Sequence, residues 1–536
     1  MTTSNAAHPW WTSAVVYQIY PRSFQDSDGD SVGDLNGIRR RLDYLSWLGV
    51  DTVWLSPIYP SPMEDFGYDI ANYRDVDPLF GTLGDFDALL TEAHARGLRI
   101  ILDFVPNHTS HRHPWFRASR SSRDNPKRAW YLWHDPAPGG GPPNNWRSVT
   151  GGPAWTLDEE SGQYYLHSFL PVQPDLNWRH PGVGDAMIGA MRHWLARSVD
   201  GLRVDMVDFL LKDAAFRDEP VTDLARGYTF ADARHHLNRP ETLDLLRTLR
   251  RVLDEYPERV FVGEVVRHLP IAKVLPYYGS GDLLHLPFNF ALLDTPWAAR
   301  DVTRVTRDYD AGLALFPHAW PNYTLGNHDQ ARLASRLGAE QVRLAGLLLL
   351  TLRGTPFLYY GDELGLPNVP IPPDRMQDPW ERIQPGTGRD PARAPMVWDT
   401  TPRAGFSDSE PWLPLPPGIE RLSVAAQRAD PTSTLQFYRR LLATRRASPA
   451  LRWGEYQPLT SAPDEVLAYR RSLADEHMLI ALNFGGDART LPLPGHRPWR
   501  VRLSTAPNRE GGAAGGDAVV LRPHEGLILQ VDGGVQ

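Results

Sequence analysis

Eight short apolar runs recur along the chain, and helix-length amphipathic segments separate several of them. The runs are nearly continuously apolar and rich in β-branched and aromatic residues, which is typical of parallel strands covered on both faces. Eight such strands predict an α/β fold, a (β/α)8 TIM barrel. The predicted strands are Val15–Tyr20, Thr52–Leu55, Leu98–Val105, Gly201–Val204, Val260–Gly263, Leu283–Phe288, Tyr323–Leu325 and Pro356–Tyr360. The helical patterns are Gly37–Leu48, Leu83–Arg96, Gly184–Ser198, Glu241–Glu255 and Ala339–Leu352.

Three stretches do not fit the strand and helix alternation. Residues 108–177 are rich in Pro, Gly, Trp and Asn, which predicts an inserted subdomain after strand three. Residues 361–410 form a second irregular stretch, which we expect over the mouth of the barrel. From residue 456 to 536 short alternating strands follow one another, which predicts a C-terminal antiparallel β-sandwich. The barrel itself would comprise residues 1–107 and 178–455.

Composition narrows the class of protein. The chain has 536 residues, no cysteine and a net charge of −8, and no basic run that would favour nucleic acid as a partner. No apolar run approaches the roughly 20 residues of a membrane helix. The first residues, MTTSNAAHPWW, lack a basic segment followed by an apolar one, so we expect no secretory signal, no membrane partner and a cytoplasmic location. The oligomeric state is not predicted.

Charged residues follow four of the predicted strands, in the segments DFVPNH, GLRVD, VGE and NHD. Arg203 and Asp205 are two positions apart, so alternation along a strand places both side chains on the same face. We expect the guanidinium to lower the pKa of Asp205 and keep it ionised, as a nucleophile requires. Glu264 follows an apolar run, where burial would raise the pKa of its carboxyl and keep it protonated as an acid.

Two carboxylates in such different environments indicate cleavage of a glycosidic bond. Asp329 would be a third acid near the anomeric carbon, and His108 and His328 would donate hydrogen bonds to sugar hydroxyls. A single Asp at a strand end is more often a helix cap than a catalyst. Four such sites at strands three, four, five and seven favour catalysis, because independent caps have no reason to occur in this order.

Together with VVYQIYPRSF, GYDI, QPDLNW, YYGDELG and GRDPARAPMVW, these segments make nearly the whole chain resemble the α-amylase family, glycoside hydrolase family 13. Within that family it resembles the branch of oligo-1,6-glucosidases and α-glucosidases. The resemblance implies a retaining mechanism, with Asp205 as nucleophile, Glu264 as acid/base and Asp329 as transition-state stabiliser. It further implies that the glucosyl unit is held by Asp69, His108, Arg203, His328 and Arg393, with Arg389 as the less favoured alternative to Arg393.

An acidic loop, QDSDGDSVGD, places Asp26, Asp28, Asp30 and Asp34 at alternate positions. It resembles a calcium-binding turn in which these carboxylates and the backbone carbonyl of Val32 are the ligands. The alternative is an acidic surface turn. The family resemblance favours a structural Ca²⁺ or Mg²⁺ without a catalytic role, and no organic cofactor is expected.

Aromatic and apolar residues near the predicted acids bear on the choice of substrate. Tyr68 and Phe169 are predicted to contact the sugar, from their positions beside Asp69 and inside the inserted subdomain. In the resembling branch the residue after the nucleophile tends to be Val for α-1,6 bonds and Ala, Gly or Thr for α-1,4 bonds. Here it is Met206, so the linkage preference stays open.

The predicted function is an exo-acting α-glucosidase that releases glucose from the non-reducing end of short α-glucosides, with transglucosylation when a sugar hydroxyl replaces water. The alternative is a sucrose- or trehalose-acting glucosyl transferase or isomerase, since the same residues would serve it. A more remote alternative is a non-catalytic interaction module, which the retained acids disfavour.

Overall fold

The structure is a computed structural model that describes residues 8–221, 228–495, 498–506, 508–514 and 516–531. The expectation of no secretory signal depends on the N-terminal segment, and most of that segment lies outside the described residues. The last five positions of the C-terminal region also lie outside them. The strands are β1 (Val16–Ile19), β2 (Thr52–Leu55), β3 (Arg99–Phe104), β4 (Trp133–His134), β5 (Trp155–Asp158), β6 (Gln163–Leu166), β7 (Gly201–Val204), β8 (Val260–Gly263), β9 (Leu286–Pro287), β10 (Asn322–Thr324), β11 (Thr355–Tyr359), β12 (Glu455–Pro458), β13 (Val466–Leu473), β14 (Glu476–Asn483), β15 (Arg489–Pro492), β16 (Trp499–Ser504), β17 (Ala513–Ala514), β18 (Ala518–Leu521) and β19 (Gly526–Val531).

The α-helices are shorter on average than the predicted patterns. They are α1 (Leu35–Arg40), α2 (Leu42–Leu48), α3 (Leu83–Ala95), α4 (Pro114–Ser121), α5 (Pro181–Ala196), α6 (Glu241–Leu253), α7 (Ile271–Val274), α8 (Ala291–Asp294), α9 (Ala299–Leu313), α10 (Leu333–Leu337), α11 (Val342–Thr351), α12 (Pro379–Ile383), α13 (Ile419–Leu422), α14 (Val424–Ala429), α15 (Thr434–Ala447) and α16 (Pro449–Trp453).

Eight parallel strands form the predicted barrel, in the order β10-β11-β1-β2-β3-β7-β8-β9. Strands β9 and β10 are not paired through their backbones. The Asn322 side chain joins them instead, since its Nδ2 donates to Pro287 O at 2.7 Å and its Oδ1 accepts from Asn289 N at 3.1 Å. The prediction of a (β/α)8 barrel is therefore confirmed, and all eight predicted strand positions contain a strand.

The predicted helix Gly37–Leu48 is wrong as a single helix, because the structure breaks it at Arg41 into α1 and α2. The Arg41 side chain donates to Gln25 Oε1 at 2.6 Å and lies 4.1 Å from the centre of the Trp398 ring. The local periodicity of the sequence does not contain information on these long-range contacts, so it does not predict the break. The other four helical patterns each contain a helix, although a 3₁₀ turn forms the start of the last one.

The inserted segment after β3 contains α4 and a three-stranded antiparallel sheet in the order β4-β6-β5. Its small core includes Trp146, Trp155 and Leu166. A buried ion pair fastens it to the barrel, since Lys212 Nζ lies 2.6 Å from Asp175 Oδ2. The segment thereby forms a fixed wall beside the carboxyl ends of the barrel strands.

The C-terminal region is the predicted antiparallel β-sandwich. A six-stranded sheet, β12-β13-β14-β19-β16-β17, faces a two-stranded sheet formed by β15 and β18. Alternate residues of both sheets share one core, which contains Leu479, Leu491, Val501, Val519 and Leu529. Three of its strands, β12, β15 and β17, are short and lie at sheet edges.

Among the residues that the structure describes, no helix has both the length and the apolarity needed to cross a membrane. The cytoplasmic location stays a prediction.

Candidate active site

A cavity of about 780 Å³ opens at the carboxyl ends of the barrel strands. Barrel residues form its floor, and the inserted segment and the irregular stretch 361–410 form its walls. Eight of the predicted site residues line it: Tyr68, His108, Phe169, Asp205, Met206, Glu264, His328 and Asp329. Residues that the sequence analysis did not select also line it, among them Asp65, Gln173, Tyr228, Phe290 and Trp380.

Arg203 lies under the floor of this cavity and joins three carboxylates. Its Nη1 donates to Asp205 Oδ1 at 2.9 Å and to Asp103 Oδ1 at 2.7 Å, and its Nη2 donates to Glu264 Oε2. Each of these two carboxyl groups also shifts the pKa of the other. The two predicted catalytic acids therefore face the same point, and the fully buried Arg203 supports them from behind rather than lining the cavity.

The predicted ionisation of Asp205 needs correction. Burial raises its pKa well above the ordinary value, and the adjacent Glu264 raises it further, although Arg203 acts in the opposite direction. Burial likewise raises the pKa of Glu264, to about 7. The expected lowering of the Asp205 pKa fails because one guanidinium is divided among three buried carboxylates. The pair holds a proton near neutrality, and its titration belongs to both groups.

Asp103, in the DFVPNH segment, is a positioning residue that the sequence analysis did not assign. It is fully buried, and its Oδ2 accepts from Tyr68 Oη at 3.0 Å and from Trp54 Nε1 at 3.1 Å. Burial raises its pKa to about 7. Asp103 thus connects the Tyr68 ring, which lines the cavity, to the guanidinium under the catalytic pair.

The charge environment of Asp329 differs from that of Asp205 and Glu264. Its Oδ1 lies 2.9 Å from Arg393 Nη2 and 3.2 Å from Arg389 Nη1. Burial by itself would raise the pKa of Asp329, but the neighbouring His328 and the arginines hold it well below its usual range. Asp329 is therefore held as an anion, which suits stabilisation of positive charge.

His328 is clamped between two tyrosine rings, Tyr68 at 5.4 Å and Tyr20 at 5.9 Å between ring centres. Burial lowers its pKa to about 3, so the imidazole is neutral. Gln18 Nε2 donates to its Nδ1 at 2.7 Å, which leaves the proton on Nε2. That Nε2 lies 3.2 Å from Asp329 Oδ2 and faces the cavity as a fixed donor.

Asp69, predicted to hold the sugar, does not reach the cavity. It is fully buried and accepts hydrogen bonds from Asp65 N at 2.9 Å, Glu64 N at 3.0 Å and the Ser61 hydroxyl at 2.8 Å. These bonds shape the loop that presents Asp65 to the cavity. The MEDFGYDI segment contains both aspartates, and only the folded loop determines which of the two faces the cavity.

Of the two arginines of the RDPAR segment, the less favoured alternative, Arg389, is the one that faces the cavity. Arg389 lines the cavity, where its Nη2 lies 2.6 Å from Asp65 Oδ1 and its Nε lies 2.8 Å from Asp378 Oδ2. Arg393 is fully buried behind Asp329 and donates to His328 O at 2.8 Å. Arg389 is therefore the arginine placed to contact a ligand, and Arg393 orients Asp329.

The inserted segment contributes the other polar and aromatic groups near the catalytic pair. His108 Nε2 lies 3.2 Å from Gln173 Nε2 and 3.2 Å from Tyr68 O, and burial lowers its pKa to about 4. Phe169 packs 5.2 Å from the His108 ring. Met206 follows Asp205 in a left-handed conformation, φ 42°, and forms the cavity wall beyond the carboxyl pair.

The acidic loop lies on another part of the barrel. Oxygens of Asp26, Asp28 and Asp34 lie within 4.8 Å of one another, and Asp30 is not part of this group. Asp30 Oδ1 instead accepts from Val32 N at 2.8 Å. Three hard oxygen donors at this spacing fit a Ca²⁺ or Mg²⁺ ion.

A barrel with three acids above its strand ends, one of them paired with an arginine two positions earlier, defines a class of glycoside-processing enzymes. The model of the α-amylase catalytic domain matches residues 18–454, and a domain of unknown function, DUF3459, matches residues 457–528. The chain belongs to the α-amylase family, glycoside hydrolase family 13.

Relatives in this family resemble the chain along most of its length. A probable α-glucosidase of Rhizobium meliloti (strain 1021) is 43% identical, over 92% of this chain and 93% of the relative. An oligo-1,6-glucosidase of Parageobacillus thermoglucosidasius is 36% identical, over 97% and 99% of the two chains. Among solved structures, the α-glucosyl transfer enzyme XgtA superposes with a TM-score of 0.91 at 40% identity, over 98% of this chain and 99% of the other. The trehalulose synthase MutB of Pseudomonas mesoacidophila MX-45 superposes with a TM-score of 0.90 at 34% identity, over 98% and 100%.

Proposed function

We propose that the protein is a retaining α-glucosidase that cleaves the terminal, non-reducing α-glucosyl unit of short oligosaccharides or disaccharides. One observation supports this most directly: a single guanidinium, that of Arg203, donates hydrogen bonds to both Asp205 and Glu264 beneath the floor of the cavity. An inverting enzyme needs roughly 6.5–9.5 Å between its carboxyl groups to admit a water, whereas a retaining enzyme needs about 5 Å. A guanidinium that bridges both carboxyl groups keeps them close together, which favours the shorter separation of a retaining enzyme.

In the first step the proton that the pair holds near neutrality is on Glu264, which gives it to the leaving glycosidic oxygen while the ionised Asp205 carboxylate attacks the anomeric carbon from the opposite face. The C–O bond to the leaving group breaks, and a β-glucosyl ester with Asp205 forms. Arg203 holds the Asp205 oxygen that is not attacking, and the Asp329 anion stabilises the positive charge of the transition state. In the second step Glu264 removes a proton from water, which attacks the same carbon and releases α-glucose.

The exo mode of action follows from how the cavity is closed at one end. Arg389 forms ion pairs with Asp65 and Asp378, and both carboxylates are almost fully buried. With the clamped His328 ring they form a wall past which a longer glucan cannot extend. These groups would hydrogen-bond the hydroxyls of a single glucosyl unit, and the leaving group would lie toward Met206, Tyr228 and Phe230, which also line the cavity.

Chemical rescue with azide tests both assignments, using 4-nitrophenyl α-glucoside, whose leaving group needs no proton. We expect Asp205→Ala to be inactive and, with azide, to form β-glucosyl azide, because azide replaces the nucleophile on the β face. We expect Glu264→Ala with azide to form α-glucosyl azide from the covalent intermediate. The same azide anomer from both variants, or hydrolysis by Asp205→Ala without azide, would contradict the proposal.

Glucosyl transfer is the second candidate, and the structural likeness to a glucosyl transfer enzyme and a trehalulose synthase favours it. The same covalent intermediate supports transfer when a sugar hydroxyl reaches it before water. Products from maltose, isomaltose, sucrose and trehalose separate the two functions. Glucose as the main product supports hydrolysis, isomerised or lengthened sugars support transfer, and no product from all four substrates would contradict both and favour a non-catalytic role.

We also propose a structural Ca²⁺ or Mg²⁺ in the acidic loop, held by Asp26, Asp28 and Asp34, with the Val32 carbonyl as a further ligand. The three clustered carboxylates would otherwise repel one another. The ion would brace the loop that precedes α1. Metal content after dialysis, and a lower melting temperature in EDTA that Mg²⁺ or Ca²⁺ restores, test the site. The melting temperature of an Asp28→Asn variant should be the same with and without EDTA.

A further inference from the structure

A second, smaller cavity of about 170 Å³ lies at the opposite end of the barrel from the active site. Ser13 and Val15 precede β1, and Asp51 precedes β2, so the cavity is at the amino ends of the strands. In (β/α)8 barrels, residues at the amino-terminal ends of the strands contribute to stability, and the catalytic residues lie at the carboxyl-terminal ends. The remaining lining residues are Gly49, Leu442, Arg445, Arg446 and Arg452.

Three guanidinium groups therefore face one carboxylate in this small space. That carboxylate is already engaged, because Asp51 Oδ1 lies 3.0 Å from Arg446 Nη2 and Oδ2 accepts from Val15 N at 2.9 Å. Neither Arg445 nor Arg452 takes part in any ion pair among the described residues. Arg452 is held in place by the Ser13 hydroxyl at 3.0 Å and by the Trp453 ring at 3.9 Å.

Arg445 provides an independent observation. It is 1% exposed, and its Nη atoms donate to Leu350 O at 2.9 Å, Leu451 O at 3.1 Å and Gly354 O at 2.7 Å. Its Nε has no hydrogen-bond partner in the part of the chain that the structure describes. Its pKa is lowered to about 10, chiefly by burial, while Asp51 raises the pKa and Arg452 lowers it. An unpartnered donor at a buried cation costs free energy unless a ligand accepts from it.

We propose that this cavity binds a tetrahedral oxyanion, namely phosphate, sulfate or the phosphate group of a small phosphomonoester. Guanidinium groups suit such ligands because their planar N–H groups pair with two oxygens at once. The anion would accept from the Arg445 Nε and from Arg452 and would balance the excess positive charge. Because the site is at the end of the barrel away from Asp205, binding stabilises the fold and leaves turnover unchanged.

Calorimetric titration and thermal melting with inorganic phosphate, sulfate and glycerol 3-phosphate test the site, with NaCl added to equal ionic strength. Saturating phosphate should raise the melting temperature by roughly 2 °C or more over NaCl. Arg452→Gln should weaken phosphate binding about tenfold or more. Arg300→Gln, at a highly exposed surface arginine, is the matched control and should bind as the unmodified protein does.

Arg446→Gln provides a second variant if Arg452→Gln does not fold, and crystals soaked in selenate should show the anion between Arg445 and Arg452. Glycerol 3-phosphate binding more tightly than phosphate would identify the ester as the ligand, and weaker or equal binding would identify the free anion. Equal melting temperatures in phosphate and NaCl, or an unchanged affinity in both variants, would overturn the proposal.

Discussion

Arg389 Nη2 lies 2.6 Å from Asp65 Oδ1, although 324 residues separate the two in the chain. The contact joins the loop after β2 to the irregular stretch after β11 and closes one end of the active-site cavity. It also identifies which members of two closely spaced pairs, Asp65 and Asp69 or Arg389 and Arg393, face the ligand.

Substitution of the two neighbouring aspartates should separate binding from folding. Asp65→Asn removes a charged acceptor from the cavity, so kcat/KM for maltose should fall roughly 10- to 150-fold. The loss in the free energy of unfolding should be limited, because Arg389 keeps Asp329 and Asp378 as ionic partners. Asp69→Asn places an amide donor against a backbone N–H, so it should lower the free energy of unfolding by about 1–3 kcal/mol. Steady-state kinetics and urea unfolding of both variants measure the difference. Equal losses of activity without destabilisation by Asp69→Asn would contradict this arrangement.

The pH dependence of kcat/KM should be bell-shaped, with an alkaline limb near pH 7. The pKa of Glu264 is raised to about 7, and catalysis needs this carboxyl protonated, so kcat/KM should fall about tenfold per pH unit above that value. The acid limb would reflect protonation of the pair at Asp205. In Glu264→Gln, assayed with 4-nitrophenyl α-glucoside, the alkaline limb of the glucosylation step should disappear. A retained limb would assign it to another group.

Met206 should influence the choice of linkage through the space that it occupies. Its side chain packs with Phe169, Tyr228 and Val266 on the wall beyond the carboxyl pair. Met206→Ala tolerates the left-handed backbone better than a β-branched residue would and enlarges this space. We expect the ratio of kcat/KM for maltose to that for isomaltose to change by about 3- to 10-fold. An unchanged ratio would show that the linkage is selected elsewhere.

The ion pair between Lys212 and Asp175 should contribute strongly to stability. Lys212→Met leaves Asp175 buried without its cation and should lower the free energy of unfolding by about 3–5 kcal/mol. Adding Asp175→Asn should recover part of that loss. Arg192→Met removes an exposed ion pair with Glu255 and should change the free energy of unfolding much less. Denaturant unfolding compares the variants, and similar losses from the buried and the exposed substitution would contradict the prediction.

Much of the architecture was predictable because the signals are local. Short, continuous apolar runs rich in β-branched and aromatic residues, such as Val260–Gly263, favour strands covered on both faces, and eight of them with helices between them indicate a barrel. Alternation along β7 likewise predicts that Arg203 and Asp205 share a face, and the structure has them 2.9 Å apart.

The tertiary structure alone decided which of two similar residues faces the cavity and how the acids ionise. Asp65 and Asp69 differ only in how their loop is folded by long-range contacts, and the same is true of Arg389 and Arg393. The charge state of Asp205 depends on burial and on Asp103 and Glu264, which compete for one guanidinium. Such competition depends on distances between distant chain segments, which periodicity and spacing along the chain do not contain.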